Sequence, residues 1–438
     1  MHSEEPAAVR RPRAIPATTV VLILLCLMYA INYIVRVNVS TAAAVFKDEL
    51  HLNNTQLGLI FSAFAYPYLV FQIIGGWVSD RFGARLALTV FAVIWSAATV
   101  FMGLAHSLSA MLFGRVMLGI GVSALPTATR AMSAWMPEAK RGFAQGITHS
   151  AARLGNALTP PLVAGLIAVV AWRGSFIVLG TLSLGWAIVW GWYFRDEPAD
   201  HPGITPDELK TLPRQRSRAD HKTERVPFLR LARRMFLVTV VYFCYGWTLW
   251  FFLAWIPQFF LHSYRLNLNN TALFAAGVFL GGVLGDLLGG IVSDRIFERT
   301  HDRKKARRNL IVFGFLGSLV MMLPIVFLHN LASAAICLSL AFFSVEFTVG
   351  PMWAIPMDIA PRFSGFASGF MNTGSALAAI ISPVLAGKLI DRTGNWELPF
   401  VGSIVLLLCG SILAFWMKLD EMPAEPRVTA KPAVLPAV

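Results

Sequence analysis

The sequence predicts an all-α integral membrane protein of twelve transmembrane helices, arranged as two pseudo-symmetric six-helix halves. Three observations carry that expectation. The 438 residues are 56% hydrophobic and 14% charged, with a mean hydropathy of +0.62, against about 25% charged in an ordinary soluble domain. Twelve apolar runs are each long enough to cross a hydrocarbon layer of about 30 Å. The second half of the chain also repeats patterns of the first. With 34 Gly, 24 Pro and four Cys, collagen-like, disordered and disulfide-stapled classes are excluded.

In chain order the runs fall near 18–46, 55–79, 86–105, 109–135, 143–169, 173–194, 235–262, 270–293, 309–328, 331–356, 364–390 and 397–417. The first is too long for a signal-peptide core and lacks a small-residue cleavage site before a polar start, so it reads as a retained span. An even number of spans puts both termini on one side. Of 37 Lys and Arg, 28 lie in the N-terminus, the even-numbered connections and the C-terminal tail, five lie on the opposite side and four lie within runs. The positive-inside bias makes the termini cytoplasmic and the protein a multi-pass resident of the cell inner membrane. The expected organisation is a tail 1–17, a half 18–194, a linker 195–234 carrying Pro202, Pro206, Pro213 and Pro227, a half 235–417 and a tail 418–438.

The net charge of +13 is therefore mostly a statement about topology. The basic stretch 303–308 reads as a topology and lipid-headgroup signal, and with no recognition domain beside it nucleic acid is not an expected partner. Cys26, Cys244, Cys337 and Cys409 lie within apolar runs with no CxxC or Cys/His cluster. They read as packing residues, and no metal is expected.

Residues 72–81, QIIGGWVSDR, match 286–295, DLLGGIVSDR, at an offset of 214, and 142–167 match 365–390 without a gap at an offset of 223. Gly142/Gly365, Gly146/Gly369 and Pro160/Pro383 coincide in the second pair. Spans 2 and 8, and spans 5 and 11, are thereby equivalent in two parallel repeats. That architecture is associated with a binding site between the halves near mid-membrane.

The segment Gly76-Trp77-Val78-Ser79-Asp80-Arg81-Phe82-Gly83-Ala84-Arg85 resembles the GxxxD(R/K)xGR(R/K) signature of the major facilitator superfamily, and recurs in degraded form at Gly290, Asp294 and Arg295. Gly76 permits close helix approach, Gly83 a tight turn, and Asp80 can cap or pair with arginines where the halves meet at the cytoplasmic face, so these residues, with Arg81 and Arg85, are expected to gate. Asn32-Tyr33-Ile34-Val35-Arg36, Thr248-Leu249-Trp250-Phe251-Phe252-Leu253, Trp135-Met136-Pro137-Glu138, Asp358-Ile359-Ala360-Pro361-Arg362 and Asn372 are similar to the anion:cation symporter branch. That branch includes sialin, the vesicular glutamate transporters, and bacterial permeases for galactonate, glucarate, hexuronates and phthalate. The resemblance covers nearly the whole chain and implies organic-anion transport without choosing the anion.

An ionisable residue at mid-membrane costs roughly 2.5–3.5 kcal/mol on insertion scales, so each one is a functional candidate. Arg36 shares a helical stripe with Asn32, Tyr33 and Ser40, and its planar fork suits a carboxylate. The resemblance implies that it holds substrate; static pairing is the alternative. Arg115 heads Arg115-Val116-Met117-Leu118-Gly119-Ile120-Gly121, similar to the superfamily's RxxxGxG motif, whose arginine is implied in ion coupling; snorkelling to the interface competes. Arg130 can snorkel or give a dianion a second contact. Proton-coupled members carry an acid before the span 1 arginine or in span 4, where this chain has Val35, Leu118 and Gly121. The acids left within spans are Asp286 and Glu346, and Glu346 is the proton-coupling candidate, against static pairing with an arginine. His149 is the repeat partner of Asn372, a residue that the branch implies touches substrate, and satisfied packing is its alternative. Arg153 and Asp286 are expected to form an interhalf ion pair that gates.

The sequence thus points to a secondary transporter of a small organic anion, working by alternating access and coupled to protons, monomeric in a lipid bilayer. No Walker motif, metal cluster or nucleophile with its base is visible, so neither enzyme chemistry nor a cofactor is expected. Proton-independent exchange or facilitation is the alternative within transport. A transporter-like ligand sensor is the alternative from another class.

Overall fold

The computed structural model describes residues 15–137, 141–212, 228–327, 330–360 and 364–420, and no strand occurs among them. Among the described residues the helices form twelve passes. Span 1 is Ala17–Glu49, and span 2 runs as Asn54–Ala63 and Ala65–Phe82. Span 3 is Ala84–Gly103; span 4 is Leu108–Gly121, a tight turn Val122–Ala124 and Leu125–Trp135. Spans 5 and 6 share the run Arg141–Tyr193, which turns at Ala171 with φ 57°. Spans 7 and 8 are Phe228–Ser263 and Leu268–Thr300. Span 9 is a π-helical turn Lys304–Arg308 leading into Asn309–Phe327, and span 10 is Leu331–Glu346 and Val349–Ile359. Spans 11 and 12 are Ser364–Thr393 and Leu398–Ala414. Nine helices among the described residues have the length and apolarity to cross a membrane, with spans 5 and 6 counted as one; span 2 is divided and span 12 is short.

Short polar caps mark the end of the bundle away from the termini. Asn53, Ser107, Asn267 and Asn330 each accept from backbone N–H groups at the start of spans 2, 4, 8 and 10, and Asn395 does so for Leu398 of span 12. Such oxygens satisfy donors that a helix start leaves orphaned. At the opposite end Arg230 and Arg233 of span 7 are exposed, and Arg234 donates to the Asp420 carbonyl. In the linker, Thr205 and Glu208 form a capping box on the helix Pro206–Thr211. Glu208 also accepts from the Thr18 backbone and hydroxyl at the start of span 1.

Within each half the packing is equivalent: span 1 lies along span 5, and span 7 along span 11. A Cβ on Gly155 would meet the Ala30 backbone, and one on Gly374 the Thr239 carbonyl, so small residues let these pairs approach. Exposed apolar side chains such as Ile188, Trp192, Phe313 and Phe327 face outward, as lipid-facing helix surfaces require. The halves touch along spans 5 and 8, 2 and 11, and 1 and 7. Away from the termini, Asp391 of span 11 accepts from Asn54 and Thr55 of span 2, and Gln258 of span 7 donates to the Ser40 carbonyl of span 1.

Candidate functional site

Proline chemistry builds the centre. Pro126 lacks an N–H, so the carbonyl four residues earlier, that of Val122, loses its helical donor. The Arg36 Nη2 takes that place at 2.8 Å. Span 4 breaks over Val122–Ala124, one turn before the proline that causes it. Arg36 is 3% exposed, and its Nε and Nη1 have no hydrogen-bond partner among the described residues. Its guanidinium lies 4.8 Å from the Tyr33 ring centroid, 4.6 Å from that of Tyr68 and 6.0 Å from that of Phe64. A cation against aromatic faces is stabilised without using its N–H groups.

Arg115 is 1% exposed and is occupied by backbone: Nε and Nη2 donate to Ile60 and Phe61 carbonyls at 2.9 Å, and Nη1 to the Arg36 carbonyl at 3.3 Å. The Ile60 and Phe61 carbonyls lie just before the break of span 2 at Phe64, so Arg115 ties that helix joint to the backbone of span 1 at Arg36. Trp250 of span 7 rests on Phe64, with ring centroids 5.2 Å apart, and donates to Ser375 Oγ at 3.0 Å. Arg36, Phe64, Arg115 and Trp250 share the wall of a small cavity.

A second charged centre lies beside the first. Arg153 Nε is 2.9 Å from Glu346 Oε2 and 3.4 Å from Asp286 Oδ2. Tyr245 accepts from Arg153 Nη2 at 3.3 Å and donates to Glu346 Oε1 at 3.0 Å. Arg153 Nη1 has no partner among the described residues. Glu346 is fully buried at the break of span 10. The Tyr33 ring joins the two centres, since Arg153 lies 6.0 Å from its centroid. The amides of Asn32 and Asn156 are buried and unpartnered among the described residues.

The remaining candidates occupy several places. His149 sits between Tyr29 and Trp353, with ring centroids 5.7 Å away on both sides, and Trp353 donates to Tyr242. Asn372 donates to Gln72 Oε1 at 3.1 Å, tying span 11 to span 2. Arg130 is half-buried on the second segment of span 4. Gly76 and Asp80 lie on Ala65–Phe82, and their surroundings fall outside what is described. Gly83 takes φ 91°, where a Cβ would run into the Asp196 carboxylate. The Arg85 N–H donates to Asp196 and its Nε to the Gly191 carbonyl at 2.7 Å. Gly83 and Arg85 thus engage the end of span 6, within their own half. Arg81, beside Phe82, is exposed, and Arg295 is exposed as well. Gly290 lets the backbone of Gly350 approach, so that a Cβ on Gly350 would lie 2.7 Å from Gly290 Cα.

Two groups went unrecognised as sites in the sequence. Arg307, inside the basic stretch, is 6% exposed and bridges Asp294 and Asp358, each at 3.2 Å. Asp391 was indistinguishable from an ordinary boundary charge. A buried basic residue within a solvated run leaves no periodic signature.

The Major Facilitator Superfamily model matches residues 25–383. The chain belongs to that superfamily. It is similar, at 46% identity over 91% of its length and 93% of the relative's, to "Probable sulfoacetate transporter SauU" of Cupriavidus necator. The Hexuronate transporter of Bacillus subtilis is 29% identical, over 92% of this chain and 96% of the relative. "Probable galactarate/D-glucarate transporter GarP" of Escherichia coli is 30% identical, over 88% and 92%. Among solved structures, a bacterial homologue of the human lysosomal transporter Spinster, inward-facing and unoccupied, superposes with a TM-score of 0.76 at 17% identity, over 92% of this chain and 97% of that one. This superfamily member is a multi-pass membrane transporter and not an enzyme.

Proposed function

We propose that this protein is a secondary transporter of a small organic anion in the cell inner membrane, with both termini cytoplasmic. The observation that carries this reading is Arg36, a buried guanidinium with two unpartnered N–H groups beside Tyr33 at the meeting of the halves. An unsatisfied buried donor costs about 1–3 kcal/mol, and a carboxylate or sulfonate oxygen on Nε and Nη1 removes that cost. Sulfoacetate is the first candidate cargo because of the relative at 46% identity; hexuronate and glucarate follow from the others.

Alternating access requires contacts that hold one end shut and can be released. The bonds of Asp391 to Asn54 and Thr55, with Gln258 to Ser40, serve as the lock at the end away from the termini. Proton coupling is assigned to Glu346. Arg36, Arg115 and Arg153 are buried in the same region as Asp286 and Glu346, and a proton taken up by Glu346 would release Arg153 from its ion pair as an anion enters. The pairing of Glu346 with Arg153 at 2.9 Å also supports a second reading, a static ion pair in a proton-independent exchanger.

Uptake of sulfoacetate, glucarate and hexuronate into proteoliposomes, with and without an inward proton gradient, tests the proposal. Gradient-stimulated uptake of at least one of them is expected. Uptake indifferent to the gradient leaves exchange or facilitation, and binding with no uptake would make the protein a sensor.

A further inference from the structure

Arg153 has a feature that gating alone does not use. Its Nη2 donates to Tyr245 and its Nε is ion-paired with Glu346 and Asp286 without a directed hydrogen bond, while Nη1 is buried with neither kind of partner among the described residues. Arg36 likewise keeps Nε and Nη1 unpartnered. Both guanidiniums lie on the ring of one residue, Tyr33, at 4.8 Å and 6.0 Å from its centroid. The two distances together bound their separation. Each N–H···O contact to an anionic oxygen takes up about 2.7–2.9 Å, so only a short carbon chain fits between two acidic groups held there.

We propose that Arg153 is the second anion contact of the site, taking the distal acidic group of a short two-headed anion whose first group is held by Arg36. This rests on Arg36 being the substrate contact. Glu346 and Asp286 anchor Arg153 from one side and leave its Nη1 end for the ligand. Tyr33 fixes the span between the two guanidiniums and thereby the length of anion accepted. Arg153 is then a specificity-determining residue: a single-headed anion satisfies Arg36 alone, and a long diacid overshoots.

Calorimetry on the purified full-length protein tests this with sulfoacetate and with carbamoylmethanesulfonate, in which a neutral amide replaces the carboxylate. Wild type is expected to favour sulfoacetate by at least tenfold. Arg153→Gln is expected to bring the two affinities within threefold, and Arg153→Lys to recover part of the preference. Removing one partner of a buried pair is strongly destabilising, so the double variant Arg153→Gln/Glu346→Gln, which leaves no stranded charge from that pair, is measured beside it and is expected to show the same collapsed ratio. A preference that survives in either variant, or a wild type that binds both compounds equally or neither, overturns the inference. Arg36-dependent hexuronate uptake reads the transport proposal separately, because that anion has a single acidic group. Undiminished hexuronate uptake by Arg36→Gln contradicts the role of Arg36 and leaves the ratio at Arg153 to be judged on its own.

Discussion

Arg153 of span 5 and Glu346 of span 10 meet across the two halves, with Nε 2.9 Å from Oε2 and side-chain exposures of 7% and 0%. A pair this deeply buried is weak evidence for stability, because desolvation offsets much of its attraction. Its value lies in being breakable. Glu346→Gln keeps a hydrogen-bonding group beside Tyr245 and removes the titrating carboxyl. Gradient-driven uptake in proteoliposomes is expected to fall at least tenfold while substrate exchange persists; intact gradient-driven uptake would show that Glu346 does not carry the proton.

Asp391 joins the halves at the end away from the termini by accepting from Asn54 and Thr55, and the proposed lock rests on it. Asp391→Ala removes charge-assisted bonds that, partly exposed, are worth about 1 kcal/mol. The ratio of closed to open state should fall roughly fivefold. A cysteine placed at Ser40, buried beside Gln258, is then expected to react faster with a membrane-impermeant maleimide. An unchanged rate would remove Asp391 from the lock.

Gly119 faces Phe64 so closely that a Cβ would enter its carbonyl. Phe64 lines the cavity with Arg36 and Arg115. Gly119→Ala should destabilise by about 1–3 kcal/mol through overpacking, read as a lower melting temperature of the purified protein, and weaken anion binding with it. Wild-type melting would mean that this contact yields freely.

Glu208 lies outside the spans. Partial burial raises its carboxyl, but hydrogen bonds from Thr205 and Thr18 outweigh that and hold it below the usual carboxylate range. A depressed folded-state value stabilises above the unfolded pKa and loses that contribution as pH falls through the folded value. Wild type should therefore melt above Glu208→Gln at neutral pH, and the difference should shrink as pH drops below about 4.3, the unperturbed carboxyl value. A constant difference would contradict the linkage.

The four central charges were legible because charge inside an apolar run is costly and therefore conspicuous. A rise of 1.5 Å per residue sufficed to place Arg153, Asp286 and Glu346 at comparable depth. What the sequence hid depends on three-dimensional closure. A proline at 126 frees the Val122 carbonyl, but nothing in the linear pattern indicates that Arg36 takes it. Arg115 matched a coupling motif, and only the structure displays its three backbone acceptors. Tyr245 was one of several aromatics along span 7, and its position between Arg153 and Glu346 comes from the packing of spans 5, 7 and 10.

The most direct test of the central claim is titration of purified wild type and Arg36→Gln with whichever of sulfoacetate, glucarate and hexuronate binds wild type most tightly. Two charge-assisted hydrogen bonds of about 1.5–3 kcal/mol each predict a loss of at least 100-fold in affinity, with the unliganded variant still showing a cooperative melting transition. Binding by Arg36→Gln within threefold of wild type would contradict the account.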